Sequence, residues 1–291
     1  MMMAVVMISF TSCDPTDEPD PILVEDGLYV RGAGTALDSL SINGQMKKAV
    51  NEIYQEANRA SLYELYIAVK GGTDGFNLVN VSGGTEEVWG PAADWHAEAN
   101  LNVEEPQNGL WKGSYEISET AFTVEEDGLY HVVVDTELGV AAIAKVEWGL
   151  IGGATPGGWS DDTPLTESAF DLNTISFTID EVTIGKEQFK FRYSGGWKIF
   201  LDTIVDNCDK DKGVRVNTNF GGAVDALVAG GDNIANDERA VYAFDMTWSL
   251  EDGTSATMTY VKEAEALAYP DELWMVGNSV GGWDWAANGI Q

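Results

Sequence analysis

The sequence predicts an all-β protein of tandem antiparallel β-sandwich domains, and three observations predict it. Short stretches alternate apolar and polar residues between Gly-containing turns, the period of strands with one buried face. The composition is rich in turn formers and strand-favouring aromatics, with 32 Gly, 10 Trp, 10 Tyr and 10 Phe. A pattern also recurs at domain length: Trp148-Gly149-Leu150-Ile151-Gly152 is followed by Gly157-Gly158-Trp159, and Leu273-Trp274-Met275-Val276-Gly277 by Gly281-Gly282-Trp283. A fainter copy stands at Leu28-Tyr29-Val30-Arg31-Gly32. The closing glycines lie 120 and 125 positions apart (32 to 152, then 152 to 277), far beyond a solenoid period.

Size and charge bound the rest. At about 150 residues per domain, 291 residues allow about two domains, each able to bury a core. With 44% hydrophobic and 22% charged residues the chain is globular, not disordered. Lys plus Arg number 16 against 48 Asp plus Glu, a net charge of −32. Such a surface repels phosphate backbones and anionic headgroups, so nucleic acid is excluded as a partner. No apolar run reaches the roughly 18–20 residues of a membrane helix.

In chain order, residues 1–13 read as a lipoprotein signal. Met1 to Phe10 is almost wholly apolar and leads through Thr11-Ser12 to Cys13, the expected site of lipidation. The usual basic start is missing, so the natural start is expected further upstream. Residues 14–26 open with Asp14-Pro15-Thr16-Asp17-Glu18-Pro19-Asp20-Pro21, an acidic Pro-rich tether that cannot form a core. Attachment to the membrane is then through the lipid alone. The other cysteine is Cys208, so with Cys13 acylated no intramolecular disulfide is available.

The first β domain is expected over 27–146. It ends in an alternating strand, Gly128-Leu129-Tyr130-His131-Val132-Val133-Val134-Asp135, a turn at Glu137 to Gly139, and a second strand to Val146, which reads as a hairpin. Over 44–60, Met46, Val50, Ile53 and Ala57 recur at helical spacing and predict a short inserted helix. The second domain, 147–265, offers strands at 148–152, 175–179, 188–193, 197–201, 214–217, 240–247 and 256–261, closing in a like hairpin around Glu251-Asp252-Gly253. A third repeat begins at 272–291 and is expected to continue in the natural protein.

No catalytic motif stands out. His96 and His131 are far apart, His131 reads as an ordinary strand residue, and no Ser/His/Asp order, HExxH, CxxC or phosphate loop is present. Asp209-Lys210-Asp211-Lys212-Gly213 has part of a calcium-loop pattern but lacks the remaining oxygen ligands. Paired carboxylates carry no signal among 48 acidic residues. No enzyme, metal or cofactor is expected.

What remains is aromatic surface beside polar groups, the combination that holds a sugar ring without cutting it. In Phe189-Lys190-Phe191-Arg192-Tyr193 the period of two places Phe189, Phe191 and Tyr193 on a buried face, leaving Lys190 and Arg192 in solvent. Trp197 follows Gly195-Gly196, and Trp159 lies in a Gly-rich loop. Each indole has two readings. Packing in the core or as a loop anchor is preferred for Trp159, which recurs at Trp283, and ligand contact for Trp197.

Gly152-Gly153-Ala154-Thr155-Pro156-Gly157-Gly158-Trp159, then Phe189-Lys190-Phe191-Arg192 with Trp197, then Gly230-Gly231-Asp232-Asn233-Ile234, together resemble the SusE/SusF outer-membrane lipoproteins of Bacteroidetes starch-utilisation systems. The resemblance covers the lipidation signal, the second domain and the start of the third; the first domain lacks the Phe-Lys-Phe-Arg motif. It implies tandem carbohydrate-binding-module-like sandwiches on the cell exterior, anchored in the outer membrane. It also implies a polysaccharide or oligosaccharide ligand, starch-like or another glycan, held through Trp197, Lys190 and Arg192 with Trp159. The partners implied are a TonB-dependent transporter and a companion glycan-binding lipoprotein. A structural reading, a scaffold or adhesin subunit of an outer-membrane complex, stands as the alternative and predicts both indoles buried.

Overall fold

The computed structural model describes residues 24–53, 57–72, 74–99, 101–202 and 213–266. Its strands pair antiparallel throughout, as the alternating pattern requires. Cys13, the acidic run that follows it, Cys208, the Asp209 to Lys212 segment and the third repeat with Trp274 and Trp283 lie outside the described residues. Among those described, no helix is long and apolar enough to cross a membrane.

The first half forms β1 (Gly27–Arg31), β2 (Lys47–Asn51), β3 (Ala57–Val69), β4 (Asn77–Ser82), β5 (Thr85–Pro91), β6 (His96–Ala97), β7 (Leu110–Ile117), β8 (Gly128–Asp135) and β9 (Val140–Lys145). They make one nine-stranded sheet in the order β1-β4-β5-β7-β9-β8-β3-β2, with β6 paired to β7. The sheet curls until its ends meet: the Met46 N–H donates to Leu28 O at 2.8 Å, and Tyr29 pairs with Gln45. Leu28, Val30, Ile67, Phe76, Leu78 and Val132 are among the residues packed inside.

The helix expected over 44–60 does not form. Residues Lys47–Asn51 are strand β2, and β3 begins at Ala57; the one helical turn nearby is a 3-10 turn at Ile42–Gly44. Burial along β2 has the period of two: Ala49 and Asn51 are buried, while Val50 is 42% exposed. Pairing of Lys47 with Glu64 and Lys48 with Tyr63 overrides a weak helical spacing that included β-branched Val50 and Ile53.

The second half forms β10 (Trp148–Ile151), β11 (Thr163–Pro164), β12 (Thr166–Glu167), β13 (Thr174–Ile184), β14 (Gln188–Tyr193), β15 (Lys198–Phe200), β16 (Arg215–Asn217), β17 (Asn219–Ala223), β18 (Ala226–Ala229), β19 (Ile234–Ala235), β20 (Ala240–Ser249) and β21 (Gly253–Glu263). A strand runs through each of the seven stretches read from the sequence. One sheet is ordered β11-β10-β14-β17-β18, with β19 on β14; a second is β12-β13-β20-β21; β15 and β16 pair separately. The two larger sheets face each other, with Phe189 and Phe191 edge-on to Phe244 at 5.7 and 6.1 Å.

Both closing hairpins form. In the first, Gly139 takes φ +69° and donates to Asp135 O at 2.9 Å; in the second, Gly253 takes φ +77° opposite Ser249.

The two halves share a core. Every residue of β8 is buried, because its two faces meet different partners. Tyr130, Val132 and Val134 point into the curled sheet, while Leu129 and Val133 join Trp148, Tyr193 and Ile199 of the second half. His131 is on that second face. It is stacked 4.1 Å from the Tyr66 ring and hydrogen-bonded to the Tyr193 hydroxyl at 2.9 Å and to Glu64 Oε2 at 2.9 Å. It is therefore a buried polar link between the halves and more than an ordinary strand residue.

Candidate functional site

Strand β14 carries the site because its faces part company. Phe189, Phe191 and Tyr193 are fully buried, as their spacing requires. The opposite face does not stand in solvent, which corrects the expectation for both cations. Arg192 is only 7% exposed. Its Nε donates to Asp162 Oδ1 at 2.9 Å and Oδ2 at 3.3 Å, and its Nη2 lies 2.9 Å from Oδ1. Lys190 is half-buried and donates to Asn219 Oδ1 at 2.7 Å and Gly230 O at 3.4 Å. Chain segments from residues 162, 197, 219 and 230 cover this face, so each cation has taken a partner.

The Gly-rich loop delivers Asp162, and with it Trp159. Gly152, at φ +146°, donates to Gly158 O at 2.9 Å, and Thr155 folds its N–H and hydroxyl back to Gly152 O, each at 2.9 Å. A Cβ on Gly157 would come 2.1 Å from Asp161 O, so glycine is required at this close approach. The loop leaves Trp159 46% exposed at its tip and returns at Asp162, just before β11. Core packing therefore does not describe Trp159.

Trp197 sits beyond the turn after β14, where Ser194 and Gly195 take φ +48° and +70°. It is half-buried rather than open to water. The Arg192 guanidinium lies 4.5 Å from its ring centroid, and the Trp159 ring is 6.4 Å away with the planes inclined by 31°. One cation thus backs the indole, while Lys190 is engaged with Asn219. Cys13, also read as a functional residue, lies outside the described residues.

Electrostatically the site is nearly self-neutralised. Burial pushes the Asp162 carboxyl above its ordinary value of 3.8, although the bond from Arg192 pulls the other way. Burial likewise pushes the Lys190 amine below its ordinary 10.5. Beside the ion pair lies a cavity of about 390 Å³, lined by Glu147, Trp148, Asp162, Leu165, Glu167 and Ser194 among others. Burial raises the Glu167 carboxyl there as well. Among the described residues, no group of three or more His, Cys, Asp or Glu could hold a metal ion.

The sequence reading missed Asp162 and Asn219. Asp162 was visible as the end of Ser160-Asp161-Asp162, but nothing in its spacing tied it to a cation 30 positions away.

Fold and site together define an all-β protein with one exposed and one half-buried indole beside a buried guanidinium–carboxylate pair. No protein-family model matches the chain, and no curated protein matches it. Among solved structures it is similar to the crystal structure of SusF from Bacteroides thetaiotaomicron, at 15% identity and a TM-score of 0.25. The match covers 87% of this chain and 55% of that one, so the chain spans about half the length of SusF.

Proposed function

We propose that the protein is a surface lipoprotein that binds a polysaccharide without cleaving it and holds it for an uptake system, anchored in the outer membrane through Cys13. The observation that carries this reading is the Trp159–Trp197 pair, one indole exposed and the other braced by Arg192. A sugar ring has an apolar C–H face that stacks on indole and a hydroxyl rim that needs fixed polar neighbours. Asp162, whose side chain stays 21% exposed, is such a neighbour, and the buried Arg192 locks it in position, so little side-chain entropy is lost on binding. The motif resemblance to SusE/SusF proteins supports the same reading, and with it the transporter and companion lipoprotein as partners. The scaffold reading asks for both indoles buried, and the exposure of Trp159 speaks against it.

Affinity electrophoresis through gels of soluble starch, β-glucan, xylan and mannan tests the proposal. Wild type is retarded on at least one polymer, and Trp197→Ala and Trp159→Ala each weaken that retention, by about tenfold for a central aromatic contact. No retardation on any gel, or variants that migrate like wild type, overturns it.

A further inference from the structure

The turn that carries Trp197 is held from both halves of the chain: within its own half the Thr218 N–H donates to Trp197 O at 3.1 Å and the Gly196 N–H to Tyr193 O at 3.0 Å, and the first half adds more. Residues 104–107, between β6 and β7 of the first half, lie along it and make four backbone-directed bonds. Glu104 O accepts from the Trp197 N–H at 2.6 Å and the Lys198 N–H at 2.8 Å, and the Gln107 N–H donates to Ser194 O at 2.7 Å. The carboxylate of Glu105 accepts from the Phe200 N–H at 3.1 Å. Gly196 packs so closely on this segment that a Cβ there would come 2.3 Å from Pro106 N.

Glu105 is the centre of this brace. It is 1% exposed, and the same carboxylate oxygen that meets Phe200 also takes the Lys112 ammonium of β7. A carboxylate so deeply buried is retained at a cost unless its bonds fix something. Here it fixes the end of β15, three residues beyond Trp197, against the first half. Backbone groups in an irregular turn have few sheet partners of their own, so their geometry follows from whatever chain lies beside them.

We propose that Glu105 is a positioning residue for Trp197, so that the first half, which lacks the Phe-Lys-Phe-Arg motif, is a structural component of the second half's ligand site. The proposal rests on the glycan reading for its functional consequence, but the positioning itself can be read without ligand.

The test uses the full chain with Glu105→Ala, Glu105→Gln and Gly196→Ala. Gln keeps an acceptor for the Phe200 N–H, Ala removes it, and the methyl at 196 wedges the turn away while leaving the carboxylate in place. Amide hydrogen exchange over 195–201, and the part of the iodide quenching that a Trp197→Phe control removes, report the positioning. Glu105→Ala and Gly196→Ala are expected to speed exchange there and increase quenching. Both weaken retention on whichever of the four polysaccharides retards wild type, by about tenfold, the equivalent of about 1.4 kcal/mol. Glu105→Gln recovers most of each effect, and cooperative melting persists in the variants that support the proposal. If Glu105→Ala does not fold, Gly196→Ala carries the test alone. Unchanged exchange and quenching in the folded variants overturn the brace. Failure of wild type to bind any of the polymers overturns the glycan reading instead, and leaves exchange and quenching to decide the brace.

Discussion

Removing the carboxylate at Asp162 while leaving Arg192 in place tests the ion pair beneath the indoles most directly. At an effective dielectric constant of about 20, two charges about 4 Å apart attract by about 4 kcal/mol. Burying each ion costs several kcal/mol, so the pair is close to neutral as a whole. The raised Asp162 pKa agrees, because burial there outweighs the attraction of Arg192. Breaking the pair is a different matter. Asp162→Ala strands a guanidinium that is 7% exposed, and should cost about 3 kcal/mol, the lower end for a broken buried pair because the adjoining cavity admits water. Asp162→Asn keeps an amide oxygen for the Nε–H and should cost about 1 kcal/mol. The pH dependence has a definite sign. A carboxyl whose folded pKa is raised binds its proton more readily in the folded chain, so wild type gains stability relative to Asp162→Asn as pH falls through the window just above 3.8. Urea unfolding followed by fluorescence at pH 7 and pH 4 measures all three quantities. Equal costs for Ala and Asn, or a cost for Ala below about 0.5 kcal/mol, would refute the view that this carboxylate compensates a buried cation.

Three further perturbations follow from other parts of the fold. Asp135 is fully buried and accepts from Arg59, Ser61 and the N–H groups of Glu137 and Leu138; burial pushes its carboxyl up, but these bonds outweigh it and the net shift is below 3.8. Asp135→Asn should cost about 2 kcal/mol at pH 7, and the gap to wild type should close as pH falls below 3.8 through the depressed folded pKa, as urea midpoints would record. His131→Leu leaves the buried Tyr193 hydroxyl and the Glu64 carboxylate without their ring partner, and should cost about 2 kcal/mol with faster proteolysis between the halves. Gly75→Ala places a Cβ 2.0 Å from Phe122 O at φ +52° and should cost about 3 kcal/mol or more by thermal denaturation, with an unchanged midpoint refuting the close approach.

What the sequence revealed of this fold, and what it did not, follows from the range of each force. Alternation along 188–193 placed Phe189, Phe191 and Tyr193 on one buried face correctly, because a strand's period is a property of the strand itself. The hairpin turns were legible for the same reason, since Gly139 and Gly253 supply a backbone conformation that few other residues adopt. The hairpin of β17 and β18 was not: Phe220-Gly221-Gly222-Ala223 and Ala226-Leu227-Val228-Ala229 are short, rich in Gly and Ala, and held to β14 by pairing set elsewhere. The inserted helix failed where sheet pairing beat spacing.

The candidate site divides along the same line. Its aromatic members announced themselves, but the state of the cations did not, because period gives the side of a sheet and never what covers that side. Arg192 meets a carboxylate 30 positions earlier, and Phe200 meets Glu105 at a separation of 95. Strand β8 makes the general point: His131 and Asp135 interrupt an otherwise apolar run, and a strand with one wet face could carry both at little cost. With both faces buried they must be bonded, and the bonds they make, to Tyr193 and Glu64 and to Arg59, tie neighbouring strands or halves together. In a chain whose halves share one core, a polar residue inside an apolar strand is therefore the sequence's best marker of a junction. By that criterion Arg192 belongs to the junction of strand and loop that places the indoles, and its charge is directed inward to Asp162 rather than outward to a ligand.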